Sequence, residues 1–166
     1  MTRAQQLEFI RRIAPWAQAA AEKHGVPASV TIAQAILESG WGKSSLAAKH
    51  NNFFGIKAAR SGNAAVELPT WEVLNGKRVQ VTARFRVFAS PAECFDWRGR
   101  WLSTSKTYAR AMADADDPIV FATRLWQCGY ATDPNYPKKL VDLIQVYDLG
   151  QWDLPAARKR NGGPGR

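Results

Sequence analysis

Cysteine and histidine are scarce: the 166 residues include only Cys94, Cys128, His24 and His50. Their positions match no metal-ligand spacing, which argues against a structural zinc site or a zinc hydrolase. Two cysteines cannot staple a disulfide scaffold; they form either one bridge or a pair of free thiols. Long hydrophobic runs are missing as well, and nothing approaches the ~20 apolar residues of a membrane-spanning helix. Met1 to Gln6 enters an amphipathic helix directly, without the apolar centre of a signal peptide. That reading predicts synthesis in the cytoplasm, with any action outside it following release or dedicated export. No internal repeat is found, and only six glutamates occur. This shortage makes each carboxylate worth weighing.

What is present is an ordinary globular composition, 46% hydrophobic and 22% charged, in a length that suits one domain. The formal net charge of +9 favours anionic partners such as a bacterial envelope, a membrane surface or nucleic acid. Arg158, Lys159, Arg160 and Arg166 carry part of it within a Gly- and Pro-containing stretch. Residues 1–150 are therefore read as the domain and 151–166 as a basic, flexible tail. Seven tryptophans serve either the core or sugar-stacking surfaces.

Leu7, Ile10, Ile13, Ala14 and Ala17 recur at helical spacing between Thr2 and Lys23, and Gly25 ends that helix. From Val26 to Leu37 there is no charge and almost every face is apolar, so this second helix is expected to be buried. A short helical patch and a loop at residues 51–57 follow. From residue 64 to 88, alternating valines and phenylalanine around Asn75-Gly76 predict a β-hairpin. Ser90-Pro91-Ala92-Glu93 has capping-box spacing, and Asp117-Pro118 and Asp133-Pro134 open two further helices, with Asp133 as the cap of the last. The fold class is α+β: mostly helical, with a small β lobe at 64–88 forming one wall of a cleft.

Among the glutamates, Glu8 and Glu22 fall on the polar side of the first helix, and Glu93 is explained by its cap. Glu38 closes the uncharged helix ahead of a glycine-rich turn. Burial and the negative helix end would both raise its pKa, as a glycosidase needs in the acid that protonates a leaving oxygen. The plainer alternative is an ion pair with Lys43 or Lys57 at the helix exit.

Three blocks then resemble glycoside hydrolase family 73, which includes the hydrolase domain of the flagellar rod-assembly protein. They are Ala35 to Ser44 around Glu38-Ser39-Gly40-Trp41-Gly42, Asn52 to Lys57, and Gly129 to Tyr136. The likeness runs from about residue 5 to 147, with the blocks in family order. It implies a lysozyme-like fold and hydrolysis of the β-1,4 bond on the reducing side of N-acetylglucosamine in peptidoglycan. By that resemblance Glu38 is the general acid, and Glu72 on the hairpin the second carboxylate, with Glu67 its competitor. Tyr130 is the site tyrosine, and Tyr136 the alternative. Asn52, Phe54, Gly55, Trp41 and Tyr136 are expected on the substrate side, although Trp41 also fits a core plug and Asn52 to Gly55 a tight loop. Glu38 and Glu72 lie 34 residues apart in sequence. A spacing of about 6.5–9.5 Å between such carboxyls fits inversion, and about 5–5.5 Å retention. Attack by the substrate's own acetamido group is a third route.

No metal or organic cofactor is implied. The expected partner is the peptidoglycan glycan strand, with the basic charge assisting at an anionic envelope, and a monomer is expected. Two other functions compete: a muramidase or lytic transglycosylase of the same superfamily, and a non-catalytic envelope- or nucleic-acid-binding module. No nucleic-acid motif supports the last. The setting expected for the enzyme is lysis by a phage-type endolysin.

Overall fold

The computed structural model describes residues 1–59, 62 and 64–153. The chain forms α1 (Arg3–His24), α2 (Ala28–Ser39), α3 (Ser45–His50), β1 (Ala65–Leu74), β2 (Lys77–Arg86), α4 (Pro91–Thr104), α5 (Ala109–Ala113), α6 (Pro118–Gln127) and α7 (Tyr136–Val146). Short 3-10 turns precede α5 and follow α7. Among the described residues, seven α-helices with one antiparallel hairpin match the α+β class read from the sequence.

Helix α1 begins in a capping box, Thr2 accepting from the Gln5 amide while Gln5 accepts from the Thr2 amide. Its apolar stripe, including Ile10, Ile13 and Ala17, is buried. Pro15 occupies the exposed face, so the helix continues with one backbone bond missing. Helix α2 is the central rod, buried from Ala28 to Ile36. It has no side-chain cap of its own, because Pro27 occupies that position. Its Ser29 amide instead donates to Asp153 Oδ1 at 2.9 Å, from the far end of the chain. The folded unit thus runs through Asp153, three residues beyond the domain limit read from the sequence. Residues 154–166, which hold the basic cluster, lie outside the described residues.

At the hairpin tip Asn75 and Gly76 have φ of 51° and 75°, the two left-handed residues of a type I′ turn. Glu72 faces Val79 across the ladder, and Ala65 faces Arg86. The hairpin is fixed at its root. Phe85 is buried there, and the Asn52–Ala58 loop joins it through Arg86 N to Ile56 O (2.9 Å) and Ala58 N to Arg84 O (3.0 Å). Trp71, Val73 and Leu74 at the distal end stay exposed. A two-stranded sheet is marginal alone, so this anchorage is what makes it a wall.

Two helix starts differ from expectation. Glu93 reaches back to the Ala89 amide rather than that of Ser90, although Ser90 caps α4 as anticipated. Helix α7 starts at Tyr136, after Asn135; Asp133 instead holds the preceding turn, accepting from the Asn135 amide and Lys139. Pro137 supplies the first-turn proline of α7 in place of Pro134. Cys94 and Cys128 are both free thiols.

Candidate active site

Glu38 lies one residue before the end of α2, where the chain makes three successive left-handed residues: Gly40 at φ 56°, Trp41 at 62° and Gly42 at 74°. Each member of this block has a physical task. Ser39 is buried and its Oγ accepts from the Gly42 amide at 2.8 Å, closing the turn. Gly42 has no alternative, since an added Cβ would lie 2.6 Å from Phe9 Cε2. Trp41 turns inward, edge-on to Phe9 and Tyr147 at ring distances of 6.0 and 5.1 Å. It is absent from the lining of the main cleft, so its expected place at the substrate is corrected to that of a plug behind the turn. The tight turn leaves Glu38 projecting from the last helical turn of α2.

Glu38 opens into a cleft of about 1030 Å³ between the helices and the hairpin. The residue as a whole is exposed to cleft solvent, less enclosed than the burial expected, although the bond between its carboxyl and Tyr136 is part-buried. Protein on its flanks still strips enough water to raise its pKa above 4.5, against a hydrogen bond from Tyr136 and the charge of Arg98. Neither Lys43 nor Lys57 pairs with it. Lys57 reaches Glu72 instead, Nζ to Oε1 3.1 Å.

Both faces of β1 contribute to the cleft, Leu68, Thr70 and Glu72 from one and Pro69 and Trp71 from the other; of the two hairpin carboxylates Glu72 is among the lining residues and Glu67 is not. Glu38 and Glu72 therefore belong to one cleft, on opposite walls. Tyr130 lines it as well, half-buried and stacked on Tyr136 with ring centroids 6.0 Å apart. Burial holds its phenol pKa up. Phe54 is mostly buried in the cleft floor against Phe95, and exposed Gly55 beside it has φ 64°. Both line the cleft.

Two residues expected at the substrate are placed elsewhere. Asn52 is 1% exposed and fully engaged within the protein. Its Nδ2 donates to Ile56 O and Arg86 O, each at 2.9 Å, and its Oδ1 accepts from the Phe54 and Ile56 amides. It clamps the loop to the hairpin root. Tyr136 is also buried: its hydroxyl accepts from Gln34 Nε2 at 2.8 Å and donates to Glu38 Oε1 at 3.2 Å. With its lone pair engaged by Gln34, the hydroxyl proton is directed at the carboxylate, so Tyr136 orients Glu38 from behind. Trp71, Trp97 and Trp101 line the cleft, Trp97 packing on the core as well, while Trp16, Trp41, Trp126 and Trp152 pack on the core and do not line the cleft.

Sequence reasoning missed Arg98, which is fully buried beneath this floor. A signal existed. Cys94, Phe95, Arg98 and Leu102 follow the helical period of an inward stripe, so the arginine occupies an apolar register.

The glucosaminidase family model, described as mannosyl-glycoprotein endo-beta-N-acetylglucosaminidase, matches residues 14–149. The chain is 40% identical over 153 residues to the exo-glucosaminidase LytG of Bacillus subtilis, covering 90% of this chain and 54% of that protein. It is 39% identical over 163 residues to a probable N-acetylmuramidase of Lactococcus lactis subsp. lactis, covering 93% of this chain and 37% of the relative. It thus spans about half the length of the first of these relatives, and less of the second. The catalytic domain of the autolysin Auto from Listeria monocytogenes superposes with a TM-score of 0.80 at 35% identity, over 92% of this chain and 90% of that one. On the family match and this structural likeness, the chain belongs to the glucosaminidase family of glycoside hydrolases.

Proposed function

We propose that this chain hydrolyses the β-1,4 bond on the reducing side of N-acetylglucosamine in bacterial peptidoglycan, with Glu38 as general acid. The observation that carries the reading is the setting of Glu38. It is a carboxyl of raised pKa, aimed by Tyr136 into a cleft whose opposite wall presents Glu72. A raised pKa keeps the proton on Glu38 at higher pH, ready for transfer to the glycosidic oxygen. As that C–O bond breaks, the proton moves to the leaving oxygen and Glu38 becomes a carboxylate. Glu72, steadied by Lys57, and Tyr130 serve the anomeric centre from the hairpin side and the floor. Trp71, Trp97 and Trp101 offer ring faces to the sugars.

The names of the relatives support a wall glycan as substrate and disagree on the bond, one being called a glucosaminidase and the other a probable muramidase. The test is a digest of purified peptidoglycan with wild type and Glu38→Gln, reduced with borohydride and read by mass spectrometry. Glucosaminitol ends from wild type and none from the variant are expected. Muramitol or anhydro-muramic ends would move the cut to the other bond. Inversion in the first product would mean direct water attack, and retention either acetamido assistance or a covalent intermediate on Glu72.

The biological setting proposed is cell-wall lysis by an endolysin, with the net charge of +9 drawing the enzyme to an anionic envelope. Cells expressing it together with a membrane pore should lyse, and cells expressing Glu38→Gln should not.

A further inference from the structure

Arg98 sits where a fold built for stability alone would place an apolar side chain. It is 0% exposed, and among the described residues no carboxylate forms an ion pair with it. Its Nη1 donates to Thr31 Oγ1 at 2.9 Å, Nε and Nη2 lack a well-aligned acceptor among the described residues, and the Tyr130 hydroxyl is close enough for the guanidinium to act on it as a hydrogen-bond donor. The guanidinium carbon lies 4.8 Å from the centre of the Phe54 ring and 6.0 Å from that of Tyr130. Both rings form the floor on which Glu38 opens. A buried guanidinium without an ion-pair partner is destabilising, and an apolar side chain of equal length would remove that cost. Ring contacts recover only a part of it.

We propose that Arg98 is a positioning residue for glycosidic cleavage: a buried counter-charge beneath the cleft floor that favours the Glu38 carboxylate left after proton transfer and fixes the Tyr130 ring beside it. The inference rests on Glu38 being the general acid. When its proton passes to the leaving oxygen, negative charge develops on the carboxyl, and a fixed positive charge in a poorly solvated floor stabilises that product without reorganising.

The groups around Arg98 show why Glu38 is the one that responds. Tyr136 faces it from α7, Tyr130 from the turn after α6 and Tyr108 from the turn before α5, all phenols with pKa values raised by burial. Cys94 on its own helix is pushed up to about 12. Cys128 lies beside Tyr108, and Glu93 acts on Cys94 from the start of α4. Glu38 alone, from α2, both feels Arg98 and becomes anionic in the reaction.

The test compares wild type with Arg98→Met, which removes the charge at similar length, and Arg98→Lys, which keeps it. The Glu38 carboxyl is titrated by NMR in protein labelled with 13C at glutamate, where only six signals occur. Expected for Arg98→Met is a Glu38 midpoint about half a pH unit or more higher. With it come an alkaline limb of kcat displaced the same way, kcat lowered about three- to tenfold, KM unchanged and a melting temperature no lower. Arg98→Lys should hold the midpoint within about 0.2 units of wild type. An unmoved midpoint in folded Arg98→Met overturns the proposal, as does a midpoint in Arg98→Lys raised like that of the neutral variant. If Arg98→Met does not fold, Arg98→Gln, which also removes the charge, is titrated in its place and judged by the same criterion. Wild-type protein that cuts no glycan would refute the proposed function, while the NMR midpoints would still report whether Arg98 acts on Glu38.

Discussion

Replacing Asn52 by alanine should unfold this protein before it weakens substrate binding. The side chain makes four hydrogen bonds: to Ile56 O and Arg86 O as donor, and from the Phe54 and Ile56 amides as acceptor. At a net ~1 kcal/mol each the loss is about 4 kcal/mol, a large fraction of a typical domain's stability. Ile56 O keeps one partner, the Arg86 amide at 2.9 Å, so the loss falls mainly on the other groups. For a chain of this length about 4 kcal/mol corresponds to a fall in Tm of roughly 8–16 °C. Circular dichroism melts measure that fall, and turbidity clearing of wall preparations at 20 °C, per folded molecule, measures function. Asn52→Asp is the sharper companion. It points a carboxylate oxygen at two carbonyls, so it should be at least as destabilised at pH 7 and recover in part once acid protonates it. A Tm within 1 °C of wild type, accompanied by a several-fold rise in KM, would refute the reasoning and return Asn52 to the substrate.

Gly42→Ala should lower Tm by about 6–12 °C, because a left-handed alanine and a Cβ 2.6 Å from Phe9 together cost about 3 kcal/mol. Gly40→Ala, left-handed but with no atom within 4 Å of the added Cβ, should lose only about 1–2 kcal/mol; equal losses would refute the steric argument. The native state holds the Glu38 proton more tightly than the unfolded chain, so the carboxylate costs stability above that pKa and nothing below about 4.5. Glu38→Gln should therefore melt higher than wild type at pH 7 and lose that advantage in acid; a pH-independent difference would refute the linkage. Cys94, buried with its thiol pKa pushed up to about 12, should resist iodoacetamide at pH 8 in the native protein. Both cysteines should be alkylated after unfolding without reductant, and failure to label there would mean a disulfide.

Local interactions made much of this molecule legible in its sequence. Helix α1 carries its cap, its stripe and its stop within 24 consecutive residues, Thr2 to Gly25. The hairpin register follows from Asn75-Gly76 and strict alternation. The block after α2 could be located because a charged residue ends an uncharged helix before glycines. None of this required knowledge of distant neighbours.

Tertiary structure decided the residues whose roles depend on what lies opposite them. Asn52 reads as a polar loop residue until Arg86, 34 positions away, supplies the carbonyl that makes it a clamp. Tyr136 joins the site from behind because Gln34 and Glu38 meet it 102 and 98 residues away in sequence. Asp153 looks like the start of a tail, yet it caps α2. Trp41 had two readings, and only the positions of Phe9 and Tyr147 chose the inward one. Glu38's exposure depended on how far the hairpin wall stands from the helices, and Arg98's isolation on which carboxylates pack near it. Local periodicity fixes which face of an element is apolar; the burial, partners and charge balance of a polar side chain are set by residues far off in sequence, and packing alone brings those together.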